Sequence, residues 1–475
     1  MAHVGWLGDK PGAILGKTTF LDELTGENGP FYLFFGIILS LGLVVIVSAL
    51  REEPLGKKSK MGPKSLADVK RKDLVQSKGY IAEEWVSAAS GKTFDVYDPA
   101  TLNKIATIPE MGKEDTTKAI KAAHEAFQSY KKTTARQRAR WLRKWSDLCM
   151  EHVDDLALIL TMENGKTLAE AKGEVTYAAS FLEWYAGEAE RIHGEVVPVA
   201  NQNQRVLTFK QPLGVAACLA PWNFPIAMIT RKVGAALAAG CATIWKPAGE
   251  TPLSCLAQAV LAQEAGFPKG VINVVTTLDL VAEVGEELCK NKLVRKLSFT
   301  GSTRVGKILA QQCAQSLTKL TLELGGNSPF IVFDDAKLET AVEACILAKF
   351  RNSGQTCVTA NRIFVQKGIY DKFAEALTNK IKELKVGPGT EEGVFVGPLT
   401  HERAVEKAMK HIDGRVDNQI ARALTDTQQT QRNMEGRLFL AGNQCLNSQA
   451  IFCNLPSSKV WLQRLPLLMV KLKPV

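Results

Sequence analysis

The sequence predicts an α/β protein built on a mainly parallel sheet, and three observations carry that prediction. Between residues 214 and 324 the apolar pattern switches again and again between short strand-like runs and longer helical ones, which is the signature of βαβ units. Polar or glycine-bearing segments stand at the ends of those runs, at 221–225, 246–252 and 300–306, where a parallel sheet presents its ligand-binding edge. The chain of 475 residues, 46% hydrophobic and 23% charged, has ordinary globular composition and is long enough for two or three packed domains.

Taken in order, residues 1–30 form a polar segment with four acidic residues and no arginine, a poor mitochondrial leader. Residues 31–50 are twenty apolar or small residues without a charge, enough as a helix for the roughly 30 Å of a bilayer core. They predict a transmembrane helix. A buried core helix is the competing reading, and Val47-Ser48-Ala49 is a faint cleavage-like site in a run too long for a signal peptide. Arg51, Lys57, Lys58, Lys60 and Lys64 follow, which places the C-terminal side in the cytosol by the positive-inside tendency. Residues 51–73 read as a charged linker, in which Met61 is a candidate second start.

From Lys113 to Arg191 the period is helical, and Ala119, Ala123, Trp141, Leu142, Trp145 and Leu148 fall where core side chains are expected. Val196 to Leu213 alternates as a strand or hairpin. Strands are then predicted over 214–220, 242–246, 271–275, 295–299 and 319–324. Helices fill the intervals, over 225–239, 253–265, 279–289 and 302–313. The net charge of +10 is spread among acids, with no nucleic-acid motif beside it, so diffuse solvation is its simplest meaning. Ten cysteines without a CxxC pair give no metal-type spacing and suit buried thiols in a reducing compartment.

Chemistry concentrates in a few blocks. Cys357 lies on the polar loop Asn352-Ser353-Gly354-Gln355-Thr356-Cys357, where a thiol is open to substrate as a core thiol is not. Glu323 ends a strand-like run just before Gly325-Gly326, a pair that lets a ligand come close. Asn223 is held between Pro221 and Pro225, which restrict its backbone. Phe299-Thr300-Gly301-Ser302-Thr303-Arg304-Val305-Gly306 leaves a strand and opens a helix, so that backbone N–H groups face a would-be pyrophosphate. By itself that turn is as easily a tight βα connection, since it lacks the GxGxxG fingerprint.

The ordered blocks Pro221-Trp222-Asn223-Phe224-Pro225, Glu323-Leu324-Gly325-Gly326 and Gly354-Gln355-Thr356-Cys357 resemble the aldehyde dehydrogenase family. Within it the chain is most similar to succinate-semialdehyde dehydrogenases, through Lys349-Phe350-Arg351-Asn352 and the run from Ile229 to Leu237. The resemblance implies a Rossmann-type cofactor domain over 74–324, with an oligomerisation hairpin at 196–213, and part of an α/β catalytic domain over 325–412. It implies Cys357 as nucleophile, Asn223 and the Cys357 N–H as oxyanion donors, and Glu323 as a general base that partial burial helps to hold a proton. NAD or NADP is the implied cofactor, contacted by Trp222, Lys246, Gly301, Ser302 and Gly306. Gly249 stands where NAD-preferring relatives often carry a glutamate, and Glu250, one residue later, is a candidate ribose contact. Arg231 and Arg351 match substrate-facing arginines, and a guanidinium fork suits the distal carboxylate of a short acid aldehyde.

From Asp413 to the end, residues 413–475 show neither the family pattern nor the EExFGP glutamate that binds the nicotinamide ribose. The expectation is a poorly ordered non-family tail, an impaired catalytic domain and no C-terminal strand for the family's homo-oligomer. A membrane-tethered, non-catalytic nucleotide-binding protein and a general aldehyde dehydrogenase are the alternatives. Without the N-terminal segment, the expected location is cytosolic or mitochondrial.

Overall fold

The computed structural model describes residues 64–410 and the backbone of 473–474. The predicted membrane helix at 31–50, most of the linker before residue 64 and the tail after 410 lie outside the described residues. Among the described residues no helix is long and apolar enough to cross a membrane.

A β-ladder opens the described chain, with β1 (Gly79–Ile81) and β2 (Glu84–Val86) followed by the hairpin of β3 (Thr93–Tyr97) and β4 (Lys104–Pro109). Four helices come next: α1 (Lys113–Tyr130), α2 (Ala135–Glu151), α3 (Val153–Asn164) and α4 (Leu168–Ala189). Side-chain caps start two of them, Thr134 bonding the Gln137 N–H and Thr167 the Glu170 N–H, which satisfies amides that a helix start leaves open. Gly165, at φ 90°, ends α3 in the left-handed conformation that favours glycine.

The alternating region then gives β7 (Val215–Leu219), α5 (Pro225–Ala238), β8 (Ala242–Lys246), α6 (Pro252–Ala265), β9 (Ile272–Val274), α7 (Val281–Lys290), β10 (Val294–Gly301), α8 (Thr303–Ala314) and β11 (Lys319–Leu324). The predicted strands and helices are all present, within a few residues of the expected ends. The sheet order is β11-β10-β7-β8-β9-β1-β2, parallel from β11 to β9, with β1 and β2 antiparallel at the far edge.

Both faces of this sheet are covered, which is why its central strands are apolar throughout. Along β7, Val215, Ala217 and Leu219 join the core that includes Ile120, Ala123, Val284 and Leu309, while Cys218 joins the opposite core with Leu142, Trp145 and Leu256. Trp145 stacks on Trp245 of β8 with ring centroids 5.6 Å apart, and its indole N–H donates to Gln258 Oε1 at 3.0 Å. The aromatic stripe of α2 is core, as its spacing predicts.

A second sheet pairs β12 (Ser328–Val332) with β13 (Ala360–Val365) in parallel, and a two-residue β14 (Lys473–Pro474) lies along β13. Helices α9 (Leu338–Phe350) and α10 (Tyr370–Lys382) pack on it through Val342, Ile346, Phe373 and Leu377.

Residues 196–213 form the expected hairpin, as a minimal ladder of β5 (Val196–Val197) against β6 (Val206–Leu207). Among the described residues nothing covers its apolar side chains, Val196 being 73% and Phe209 79% exposed, and an isolated hairpin is at best marginally stable.

Candidate active site

Strand order places the site. The chain runs from β7 outward to β8 and β9, then returns to lay β10 on the other side of β7. A parallel sheet opens a crevice at such a reversal, beyond the carboxyl ends of its strands. Trp222 and Asn223 follow β7 there, and Ser302 follows β10.

Buried carboxylates decide which helix ends remain open. Glu174 Oε1 accepts from the Ile226 and Ala227 N–H groups of α5 at 2.9 and 3.2 Å. Glu163 takes the Leu253 and Ser254 N–H groups of α6 at 2.7 and 2.8 Å. Glu110 takes those of Leu278 and Leu280, before α7, at 2.9 Å each. At α8, by contrast, Ser302 caps its own helix by accepting from the Val305 N–H at 3.3 Å, and among the described residues no carboxylate takes the Thr303 or Arg304 amides. Of the βα turns of this sheet described above, that one keeps backbone amides free of a carboxylate, the kind of terminus that can take an anion. Gly301 and Gly306 keep it compact, because a Cβ on either would strike the Phe299 ring or the Leu324 side chain.

The Lys246 ammonium is buried and donates to the Pro247 carbonyl at 2.7 Å. Burial pulls its pKa down to about 8, against the pull of Glu250 and Glu110. Leu278 lies on Gly249, so a side chain at that position would collide with it. The missing glutamate there has a steric reason. Glu250 Oε1 pairs with Arg403 at 2.8 Å, a largely exposed partner. The Trp222 ring meets His401 edge-on at 5.1 Å, and its carbonyl accepts from Asn164 Nδ2 at 2.8 Å.

The thiol loop leaves α9 through a turn at 351–354, in which Asn352 and Ser353 both have φ 53° and Gly354 has φ 73°. Left-handed backbone costs a residue with a Cβ about 1–2 kcal/mol, and the surrounding bonds offset it. The Asn352 N–H donates to Glu170 Oε1 at 2.6 Å, Asn352 Nδ2 to the Asn223 carbonyl at 2.9 Å, Ser353 Oγ to the Gly397 carbonyl at 2.8 Å, and the Thr400 N–H to Gln355 Oε1 at 3.2 Å. Cys357 is then exposed while the other described cysteines are buried. Burial pushes the thiols of Cys149, Cys218 and Cys345 up to about 12, which leaves them inert.

Asn223 joins this loop directly, its Nδ2 donating to the Gln355 carbonyl at 2.8 Å, two residues before the thiol. Its second amide hydrogen and the Cys357 N–H make no hydrogen bond among the described residues. Behind Asn223 stands a buried pair, Lys166 and Glu174, 2.5 Å apart, with neither side chain exposed. Lys166 Nζ also donates to the Asn223 carbonyl at 2.8 Å. Glu170 and Glu174, one turn apart on α4, thus hold the thiol loop and the amide block together.

Glu323 ends β11, and Gly326 beyond it approaches the Cys357 carbonyl closely enough that a Cβ would lie 3.3 Å away. The carboxylate is partly buried, as expected, and it also has a charged partner. Its side chain is 39% exposed, and it is paired with the Arg231 guanidinium and accepts from Thr300 Oγ1 at 3.3 Å. A cation, rather than an apolar pocket, is its nearest influence. Arg351 stacks over the Phe224 ring at 5.3 Å, and Arg231 over Phe181 at 5.6 Å.

The structure therefore joins Asn223 to the Cys357 loop, Arg231 to Glu323, and Lys246, Trp222 and Ser302 to one strand-end crevice. Sequence reading missed Lys166, Glu170, Glu174, His401 and Arg403. The one signal was Asn164-Gly165-Lys166 ahead of Glu170 and Glu174, charges at helical spacing with Lys172 between them.

The family described as "Aldehyde dehydrogenase family" matches residues 85–442. The chain is 54% identical over 340 residues to a succinate-semialdehyde dehydrogenase [NADP(+)] of Schizosaccharomyces pombe, covering 72% of this chain and 68% of that one. It is 52% identical over 348 residues to a glutarate-semialdehyde dehydrogenase of Pseudomonas putida, covering 73% and 72%. An NADP-dependent enzyme of E. coli of known crystal structure is 51% identical, with a TM-score of 0.73 over 74% of this chain and 73% of its own.

Proposed function

This chain belongs to the aldehyde dehydrogenase family, and from that premise we propose that it oxidises a short aldehyde bearing a distal carboxylate, succinate semialdehyde first, to the acid with NAD(P)+. The observation that carries the reading is the exposed Cys357 thiol on a braced loop, with the Asn223 amide bonded beside it. Cys357 sulfur attacks the aldehyde carbon, and the developing oxyanion finds donors already in place in the Asn223 amide and the Cys357 N–H. NAD(P)+, when bound, would supply the hydride acceptor by which the thiohemiacetal on Cys357 is oxidised to a thioester. Glu323 takes a proton from the water that hydrolyses the thioester. Trp222, Lys246 and the Ser302 turn, with Gly301 and Gly306, would hold the cofactor, and the open α8 terminus fits its phosphates.

Arg231 and Arg351 support the acid substrate, as do relatives named for succinate and glutarate semialdehydes. A charge-assisted hydrogen bond contributes about 1.5–3 kcal/mol, so Arg351→Met is expected to raise KM for succinate semialdehyde roughly ten- to a hundredfold. Butyraldehyde should be turned over unchanged. Equal losses on both aldehydes in steady-state NAD(P)H assays would place Arg351 outside the substrate site.

Lys246 gives a pH prediction. Its pKa is lowered, so the ammonium is present below about 8 and lost as pH rises through that value. Affinity for the 2′-phosphate of NADP+ should therefore fall above pH 8 while NAD+ affinity stays flat, as fluorescence titration across that range would report.

A further inference from the structure

Resting on the acid-aldehyde reading, we propose that Arg231 couples recognition of the substrate's distal carboxylate to release of the general base. In the free enzyme one guanidinium has two claims on it. Arg231 Nη2 donates to Glu323 Oε2, the two side chains being 25% and 39% exposed. Arg231 Nε is buried and has no hydrogen-bond partner, so the fork is only half used. A guanidinium binds a carboxylate best through two parallel N–H groups. A substrate carboxylate therefore competes for the Nη2 that holds Glu323, the buried Nε being closed to solvent.

The consequence falls on one step of the reaction. A carboxylate oxygen engaged by a guanidinium must give up that contact before it can take a proton. In hydrolysis the water oxygen bonds to the thioester carbon and Glu323 takes the water proton. The C–S bond then breaks and its electron pair returns to Cys357 as thiolate. When the acyl group carries its own carboxylate to Arg231, Glu323 is left with the weaker Thr300 Oγ1 contact and is free to take that proton. When the acyl group is neutral, Arg231 keeps Glu323 and hydrolysis lags. Arg231 thus selects for acid substrates twice, once at binding and again at deacylation. A partly exposed ion pair contributes about 1 kcal/mol, which sets the second effect at roughly five- to tenfold.

Rapid mixing of the full chain and NADP+ with succinate semialdehyde, or with butyraldehyde of equal length, tests this. The expected result is an NADPH burst followed by a slow steady phase with butyraldehyde, and no burst with the acid aldehyde. Propionate added with butyraldehyde should raise the steady rate roughly five- to tenfold, in an arm that needs no variant. Arg231→Met should abolish the butyraldehyde burst by raising the steady rate, while raising KM for the acid aldehyde. Turnover of both aldehydes without a burst, or a burst indifferent to propionate and to Arg231→Met, overturns the coupling alone. No NADPH from either aldehyde overturns the coupling together with the reading beneath it.

Discussion

Cys357→Ala is expected to leave a folded chain that binds NAD(P)+ and forms no NAD(P)H from any aldehyde, a loss of at least about a thousandfold. The side chain is exposed and makes no packing contact that the core depends on, so stability should hardly change. The left-handed turn at 352–354 that presents it is braced by Glu170, Asn223, Gly397 and Thr400 rather than by the thiol. Thermal unfolding beside steady-state assay checks both halves. Retained activity would remove Cys357 from the chemistry.

Glu174→Ala is expected to destabilise the fold by about 3–5 kcal/mol, because it strands the buried Lys166 charge. It also removes the acceptor for the Ile226 and Ala227 amides at the start of α5. Replacing both partners, Lys166→Met with Glu174→Leu, should recover only the part of that loss due to the stranded charge, since an apolar pair of similar volume often matches a buried ion pair, while the two α5 amides stay without their acceptor. Activity should not follow stability. The Asn223 carbonyl loses its 2.8 Å bond from Lys166 in the double variant, and catalysis depends on where the Asn223 amide stands. Urea unfolding read against kcat/KM for the single and double variants separates the two effects; a double variant that recovers both would reduce the pair to a packing device.

Much of this was legible in the sequence because the signals are local. Strands β7 to β11 are apolar runs broken by helical periods, and both faces of the sheet are buried, so period and length suffice to find them. Cys357, Asn223 and Glu323 stand in short blocks with turn residues around them, which marks each block without reference to the others. The partners of these residues were not legible. Glu170 and Glu174 reach Asn352 and Ile226 across 182 and 52 residues of chain, and on a helix of mixed charge they read as solvated surface. The same holds for Arg403, which meets Glu250 across 153 residues. Glu323 is partly buried as its position suggested, but nothing local pointed to the guanidinium that pairs with it from ninety-two residues away. Long-range ion pairs leave no periodic trace, so sequence marked the candidate reacting groups but not what holds them.

NAD(P)H formation by the full chain with succinate semialdehyde, set beside butyraldehyde at equal concentration, tests the central claim most directly. The geometry predicts turnover of both, with kcat/KM favouring the acid aldehyde by roughly ten- to a hundredfold, the discrimination expected of a guanidinium–carboxylate contact. A folded sample that binds cofactor yet forms no NAD(P)H with either aldehyde, or one that prefers butyraldehyde, would contradict it.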